Sequence, residues 1–180
     1  MSGTRMKIVF VGPVKSGKTT IANYLADSRE VDQLKYVPTK GVRILKLYND
    51  LAASDNPRFG EQVELWDCSG DLQYKNCWPA LRRNAHGVII VCRPEVNDGK
   101  SLVPWYSEFV EQAGLDSSKV LILLHCSTEL TSDEAVADFK LVPPMDNLPI
   151  VLVNVEKEGE NMKLEFSSFL SRIACRVQFY

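Results

Sequence analysis

A chain of 180 residues with 45% hydrophobic content is long enough for one packed domain that needs no disulfide or metal staple. Its net charge is −2, with acids and bases interspersed, so it lacks the cationic field that holds nucleic acid or anionic lipid, and neither partner is expected. The five cysteines are odd in number and scattered, without a C-x-x-C pair, which points to free thiols in a reducing compartment, the cytoplasm, and away from zinc.

The N-terminal Met1 to Arg5 leads straight into a strand-like run, Lys7-Ile8-Val9-Phe10-Val11. No apolar stretch approaches the roughly 20 residues of a membrane helix, and no cysteine stands four from the C-terminus, so neither secretion nor a direct membrane anchor is expected. The strand runs into Gly12-Pro13-Val14-Lys15-Ser16-Gly17-Lys18-Thr19, which matches G-x-x-x-x-G-K-S/T. A loop of this composition gathers backbone N–H groups at a helix N-terminus, where aligned peptide dipoles also favour negative charge. It is a phosphate nest. Gly12, Val14, Lys15, Ser16, Gly17, Lys18, Thr19 and Thr20 are therefore the candidate contacts for a nucleoside triphosphate. Lys18 serves as a point charge on the outer phosphates, and Thr19 offers its hydroxyl to magnesium.

Ile21, Ala22 and Leu25 share one helical face, and Asp27 to Glu30 closes that helix. Val31 to Gly41 reads as a mobile loop, with Val37-Pro38 forcing an extended step. Val42 to Tyr48 and Gln62 to Trp66 then read as two strands of a hairpin whose long polar tip is Asn49 to Gly60. Gly87 to Val91 is a fully apolar strand of the kind buried mid-sheet, as is Val120 to Leu124. Between them Leu102, Trp105, Tyr106, Phe109, Val110 and Ala113 keep a spacing of three and four, which predicts an amphipathic helix stopped by Gly114. A weaker helical stretch runs from Asp133 to Phe139, Pro143 and Pro144 break it, Ile150 to Val153 is the last strand, and Met162 to Val177 is the closing helix.

Alternating buried strands and amphipathic helices predict an α/β domain over residues 1–180, with a mostly parallel sheet covered by helices on both faces. Ligands in such folds sit at the carboxyl ends of strands. Gly12 to Thr19, Asp67 to Gly70 and the residues from His125 onward all follow strand ends, so they should meet on one rim. Asp67 is a candidate magnesium ligand, and the Gly70 N–H a candidate donor to the terminal phosphate. Thr39 can bring its hydroxyl to the same ion from the mobile loop, so both segments would be ordered by a triphosphate and slackened by a diphosphate. Leu72, Tyr74, Trp78 and Leu81 follow the sensing segment, and two readings stand for them: the apolar centre of a partner site, or packing against the helix from Leu102 to Ala113. For His86 and His125 the reading is a strand-end histidine and not a metal or catalytic group.

These motifs, in this order, resemble the Ras-like small GTPases over nearly the full chain. Pro38-Thr39-Lys40-Gly41-Val42-Arg43-Ile44-Leu45, Glu64-Leu65-Trp66-Asp67-Cys68-Ser69-Gly70-Asp71 and Cys77-Trp78-Pro79-Ala80-Leu81 are similar to the Rab-like GTPase subunits of intraflagellar transport complex B. The resemblance implies a three-layer P-loop NTPase with a six-stranded sheet, GTP or GDP with Mg2+ as cofactors, docking on the coiled-coil subunits of that complex, and residence in the cilium or flagellum.

Four departures from the GTPase pattern bear on chemistry. His125-Cys126-Ser127-Thr128-Glu129 stands where N-K-x-D would read guanine, and Glu129, one residue late, is either a substitute reader or a surface acid. Asn154-Val155-Glu156-Lys157 replaces S-A-K, leaving the Val155 N–H as a base contact. Asp71 takes the catalytic position of the water-positioning glutamine, and Val14 crowds the place a trans-acting arginine would enter. Slow intrinsic hydrolysis, poorly stimulated in trans, is the expectation. Two other classes compete: a small P-loop nucleotide kinase, for which Arg82-Arg83 are the only adjacent arginines, and a scaffold that keeps the fold without a functional ligand.

Overall fold

Runs of β-branched and aliphatic residues alternate with segments of helical period, and the chain folds accordingly. The computed structural model describes residues 4–28, 37–48, 59–126 and 138–176. The strands are β1 (Thr4–Val11), β2 (Val42–Tyr48), β3 (Phe59–Cys68), β4 (Gly87–Cys92), β5 (Val120–His125) and β6 (Ile150–Val153). The helices are α1 (Lys18–Leu25), α2 (Trp78–Arg82), α3 (Val103–Tyr106) and α4 (Val155–Arg176). The strands form one six-stranded sheet in the order β2-β3-β1-β4-β5-β6, in which only β2 runs antiparallel to its neighbour. This is the P-loop GTPase fold expected from the sequence.

Period-two alternation divides the core between the two faces of the sheet. Val9, Val11, Val88, Ile90 and Ile122 pack with Trp78, Trp105 and Phe109 on one side. Ile8, Phe10, Ile89, Val91 and Leu123 pack with Ile21, Phe166, Phe169 and Ile173 on the other. Strands buried on both faces read as continuous apolar runs, which is why β4 and β5 were legible without any alternation of polarity.

The extent of β2 and β6 is as expected, whereas β1 and β3 are longer than their apolar runs because pairing with each other extends them outward. The amphipathic segment before Gly114 departs from a regular α-helix. It passes from a 3-10 turn (Gly99–Leu102) through α3 into a π turn (Ser107–Glu111), closed by Gln112 N–H to Ser107 O and Leu115 N–H to Val110 O, both 3.0 Å. The wider turn keeps Trp105, Tyr106, Phe109 and Val110 all buried, and Gly114 then leaves the helix at φ 64°. The loop expected at 31–36, the hairpin tip over 49–58, Glu129 and most of the Asp133 to Phe139 stretch lie outside the described residues.

Far from the strand carboxyl ends, Lys7 is buried on the sheet. Its ammonium lies 3.7 Å from the Trp66 ring centroid and donates to Arg83 O at 2.8 Å. Its backbone N–H donates to His86 Nδ1 at 2.9 Å, and the His86 N–H returns a bond to Lys7 O at 2.9 Å. The imidazole is therefore neutral at Nδ1, and burial, with Lys119 and Lys7 nearby, lowers its pKa below 6.5. In the unfolded chain His86 takes its proton near pH 6.5, before the folded chain does, so stability falls as pH drops through that value and levels off below the folded pKa. Melting scans from pH 7 to 5 should show this loss, and His86→Asn, which keeps an acceptor but cannot titrate, should flatten it.

Candidate functional site

At the carboxyl end of β1 the backbone turns left-handed at Lys15 (φ 59°) and Gly17 (φ 95°), the change of hand that curls a chain into a concave run of amides. Gly17 caps α1 with no side-chain bond, and no acidic residue occupies the first turn. The positive end of the helix is thus left open to an anion. Lys18 is 6% exposed, and its Nζ donates to Gly12 O at 2.9 Å, Pro13 O at 2.6 Å and Ser16 Oγ at 3.2 Å. Burial lowers its pKa to about 8, against the pull of Asp67. Val14, Lys15 and Thr20 are exposed on the rim.

The second group gathers around Asp67, which is 0% exposed at the end of β3. Its Oδ2 accepts from Thr19 Oγ1 at 2.7 Å and, at a longer 3.5 Å, from Thr39 Oγ1, and the two hydroxyls are 3.0 Å apart. Burial raises the Asp67 pKa, opposed by Thr19, Arg43, Lys18 and Thr39. Asp67 Oδ1 is buried with no hydrogen-bond partner among the described residues. One orphaned carboxylate oxygen beside two converging hydroxyls is a hard-oxygen donor set that fits Mg2+. Thr19, Thr39 and Asp67, the residues the sequence marked as metal candidates, are the ones that would hold it.

The third group is the Gly70 turn. A Cβ on Gly70 would lie 2.5 Å from Val14 N and 2.7 Å from Gly12 O, so only glycine lets this backbone press against the phosphate loop. Ser69 N–H donates to Gly41 O at 2.8 Å, tying the turn to the segment that carries Thr39. Asp71 faces elsewhere: its carboxylate caps the 3-10 turn Leu72–Cys77, accepting from Gln73 N at 3.0 Å and Gln73 Nε2 at 2.6 Å. Of the four large residues that follow, Trp78 and Leu81 are buried in the core, Tyr74 is half-buried, and Leu72 is 62% exposed. The packing reading thus holds for Trp78 and Leu81, and Leu72 is left on the surface.

No contact within the site was legible in the sequence for three groups that the structure places here, although His125 was expected on this rim as a strand-end histidine. His125 Nδ1 lies 3.3 Å from Ser16 O, and because a carbonyl only accepts, Nδ1 carries the proton. A Cβ on Gly17 would fall 2.0 Å from that same nitrogen, so the left-handed glycine makes room for the imidazole. Burial lowers the His125 pKa, with the Ser16 bond opposing. Arg93 and Glu95 pair at 3.6 Å after β4, on the same side. Arg43 and Asn23 join Asp67. The His125 and Arg43 contacts have no periodicity or motif to signal them, since each depends on which strand lies beside which, whereas Arg93 and Glu95 are a local pair two residues apart.

A family model described as "Ras of Complex, Roc, domain of DAPkinase" matches residues 7–127. The human protein named intraflagellar transport protein 22 homolog is 39% identical over 170 residues, covering 94% of this chain and 90% of that protein. The chain belongs to the intraflagellar transport protein 22 family of Ras-like domains. Within that family, the GDP-bound crystal structure of T. brucei IFT22 superposes with a TM-score of 0.72 at 28% identity, covering 96% of this chain and 97% of that one. The family member in the GTP-bound T. brucei IFT22/74/81 crystal structure gives 0.70 at 28% identity, covering 96% and 99%.

Proposed function

We propose that this chain is a guanine-nucleotide-binding subunit of the intraflagellar transport B complex, acting in cilium or flagellum assembly, with slow intrinsic GTP hydrolysis. The observation that carries the reading is the meeting of Lys18 with the Thr19, Thr39 and Asp67 knot at one strand end, since a polyphosphate and a divalent cation are what such a pair of sites takes together. Relatives solved with GDP and with GTP support guanine as the base. The relative solved in an IFT22/74/81 complex supports assembly with other subunits of the complex, which in this reading are its coiled-coil ones.

In this reading the phosphate-loop amides and Lys18 would hold the phosphates, Thr19, Thr39 and Asp67 would offer their oxygens to the metal, and the Gly70 N–H would sense the outermost phosphate. Magnesium, when bound, would neutralise phosphate charge. Asp71 is a poor positioner of water: it is negative, accepts only, and is held by Gln73. The scaffold reading draws on the His125 imidazole packed over Gly17, where a base-reading motif is missing. The kinase reading loses ground because Arg82 is bonded to Glu108 and does not reach into a substrate cleft.

Denaturing freshly purified protein and identifying the released nucleotide separates these classes: guanine supports the proposal, adenine the kinase, none the scaffold. Phosphate release should be far slower than one per second. Asp71→Gln should raise it on the order of tenfold by restoring an amide that orients water. Turnover near one per second in the natural sequence, or a slower Asp71→Gln variant, would contradict the hydrolysis argument.

A further inference from the structure

Arg43 stands beside the expected metal site because of strand register. In the antiparallel β2–β3 pair it lies directly opposite Asp67. Directly opposed residues project to the same face of a sheet, so cation and carboxylate are brought together. The Arg43 Nε is 3.8 Å from Asp67 Oδ2, with the arginine side chain 31% exposed and the aspartate fully buried. At its far end Nη2 donates to Asn23 Oδ1, and Asn23 is itself buried on α1. The guanidinium is thus held at both ends, by Asp67 at one and Asn23 at the other.

A permanent positive charge in contact with a metal-binding carboxylate has two effects. It neutralises Asp67 independently of any metal, and it repels a divalent cation approaching the same carboxylate. The first effect lowers the cost of the site without magnesium. The second lowers magnesium occupancy.

We propose that Arg43 is a built-in counter-cation to Asp67 that weakens magnesium binding and makes nucleotide retention less dependent on the ion. The proposal rests on the nucleotide and magnesium reading above and adds to it a residue outside the ligand set. For charges a few ångströms apart in a partly buried site, the coupling corresponds to a change in affinity on the order of tenfold after screening.

The test uses the full chain loaded with a fluorescent GDP, mant-GDP, titrated with magnesium chloride, with the nucleotide release rate as readout. Arg43→Gln should bind magnesium about tenfold more tightly and, in excess EDTA, release mant-GDP about tenfold faster than the natural sequence. Arg43→Lys, which keeps the charge, should stay within about threefold on both measures. A purely structural arginine would lower the melting temperature in both variants and leave magnesium affinity where it was. Asn23→Asp gives a second route that keeps Arg43 in place, because a carboxylate at the far end of the guanidinium draws the cation off Asp67. Magnesium should again bind more tightly, by several-fold. Unchanged or weaker magnesium affinity in Arg43→Gln and in Asn23→Asp overturns the role of Arg43 while leaving the nucleotide reading intact. A natural sequence that retains no mant-GDP, or whose release ignores magnesium altogether, overturns that reading and this proposal with it.

Discussion

Lys18→Ala abolishes measurable binding of GTP while leaving the fold intact. Charged hydrogen bonds of the kind an ammonium makes to phosphate are worth roughly 1.5–3 kcal/mol each, and about 1.4 kcal/mol is tenfold in affinity. Loss of two such bonds weakens binding at least about 100-fold. Titration calorimetry with GTP and magnesium reads the effect directly, and a variant that still binds within tenfold of the natural sequence would remove Lys18 from the phosphate site.

The same substitution separates function from stability, because burial costs Lys18 something in the fold. Its pKa is lowered from 10.5 to about 8, which means that the folded chain gives up this proton before the unfolded chain does. Below pH 8 both states carry the charge and the full cost of burying it is present. It is relieved as pH rises from 8 to 10.5. At about 1.36 kcal/mol per unit, that cost is on the order of 3 kcal/mol at pH 7. Removing the ammonium therefore leaves the melting temperature of nucleotide-free protein unchanged or higher at pH 7, even though three hydrogen bonds to Gly12, Pro13 and Ser16 are lost. A drop in melting temperature together with lost binding would mean that Lys18 chiefly braces the loop.

What could be read from the sequence follows from range. The phosphate loop is contiguous, so its spacing carries its chemistry, and the unbroken apolar runs of β4 and β5 show burial on both faces without knowledge of their neighbours. Asp67 was legible because it ends a strand three residues before a glycine. Thr39 was legible because it sits before the strand that pairs back to Asp67. Contacts that cross the sheet left no local trace: Arg43 opposite Asp67 needs the β2–β3 register, and His125 over Gly17 needs β5 placed two strands from β1. The spacing of Trp105, Phe109 and Val110 showed which face is buried but not its pitch, since 3-10, α and π turns all place residues three to five apart on one side. Asp71 was assigned to chemistry by its place after Gly70, while its bond to Gln73, two residues on, makes it a cap.

Trp78→Ala lowers stability by about 3–5 kcal/mol, a large part of what holds a domain of this size together. Trp78 is 1% exposed, with ring centroids 4.6 Å from Trp105 and 5.5 Å from Phe109. Its removal opens a cavity between α2 and the π turn that rigid β4 and β5 residues beneath cannot fill. The indole Nε1 has no hydrogen-bond partner among the described residues, so Trp78→Phe removes an unsatisfied donor while keeping most of the aromatic contact. It should cost less than about 2 kcal/mol. Chemical denaturation of both variants checks the pair, and equal losses would mean that the cluster depends on shape alone. The consequence for function lies in where Trp78 sits. It anchors the start of α2, directly after the 3-10 turn that follows Gly70, so on this segment residues 70–77, and not α2, would answer a terminal phosphate. Leu72, exposed within that span, can change its surroundings with nucleotide state, whereas Trp78 and Leu81 are fixed in the core in any state the fold survives.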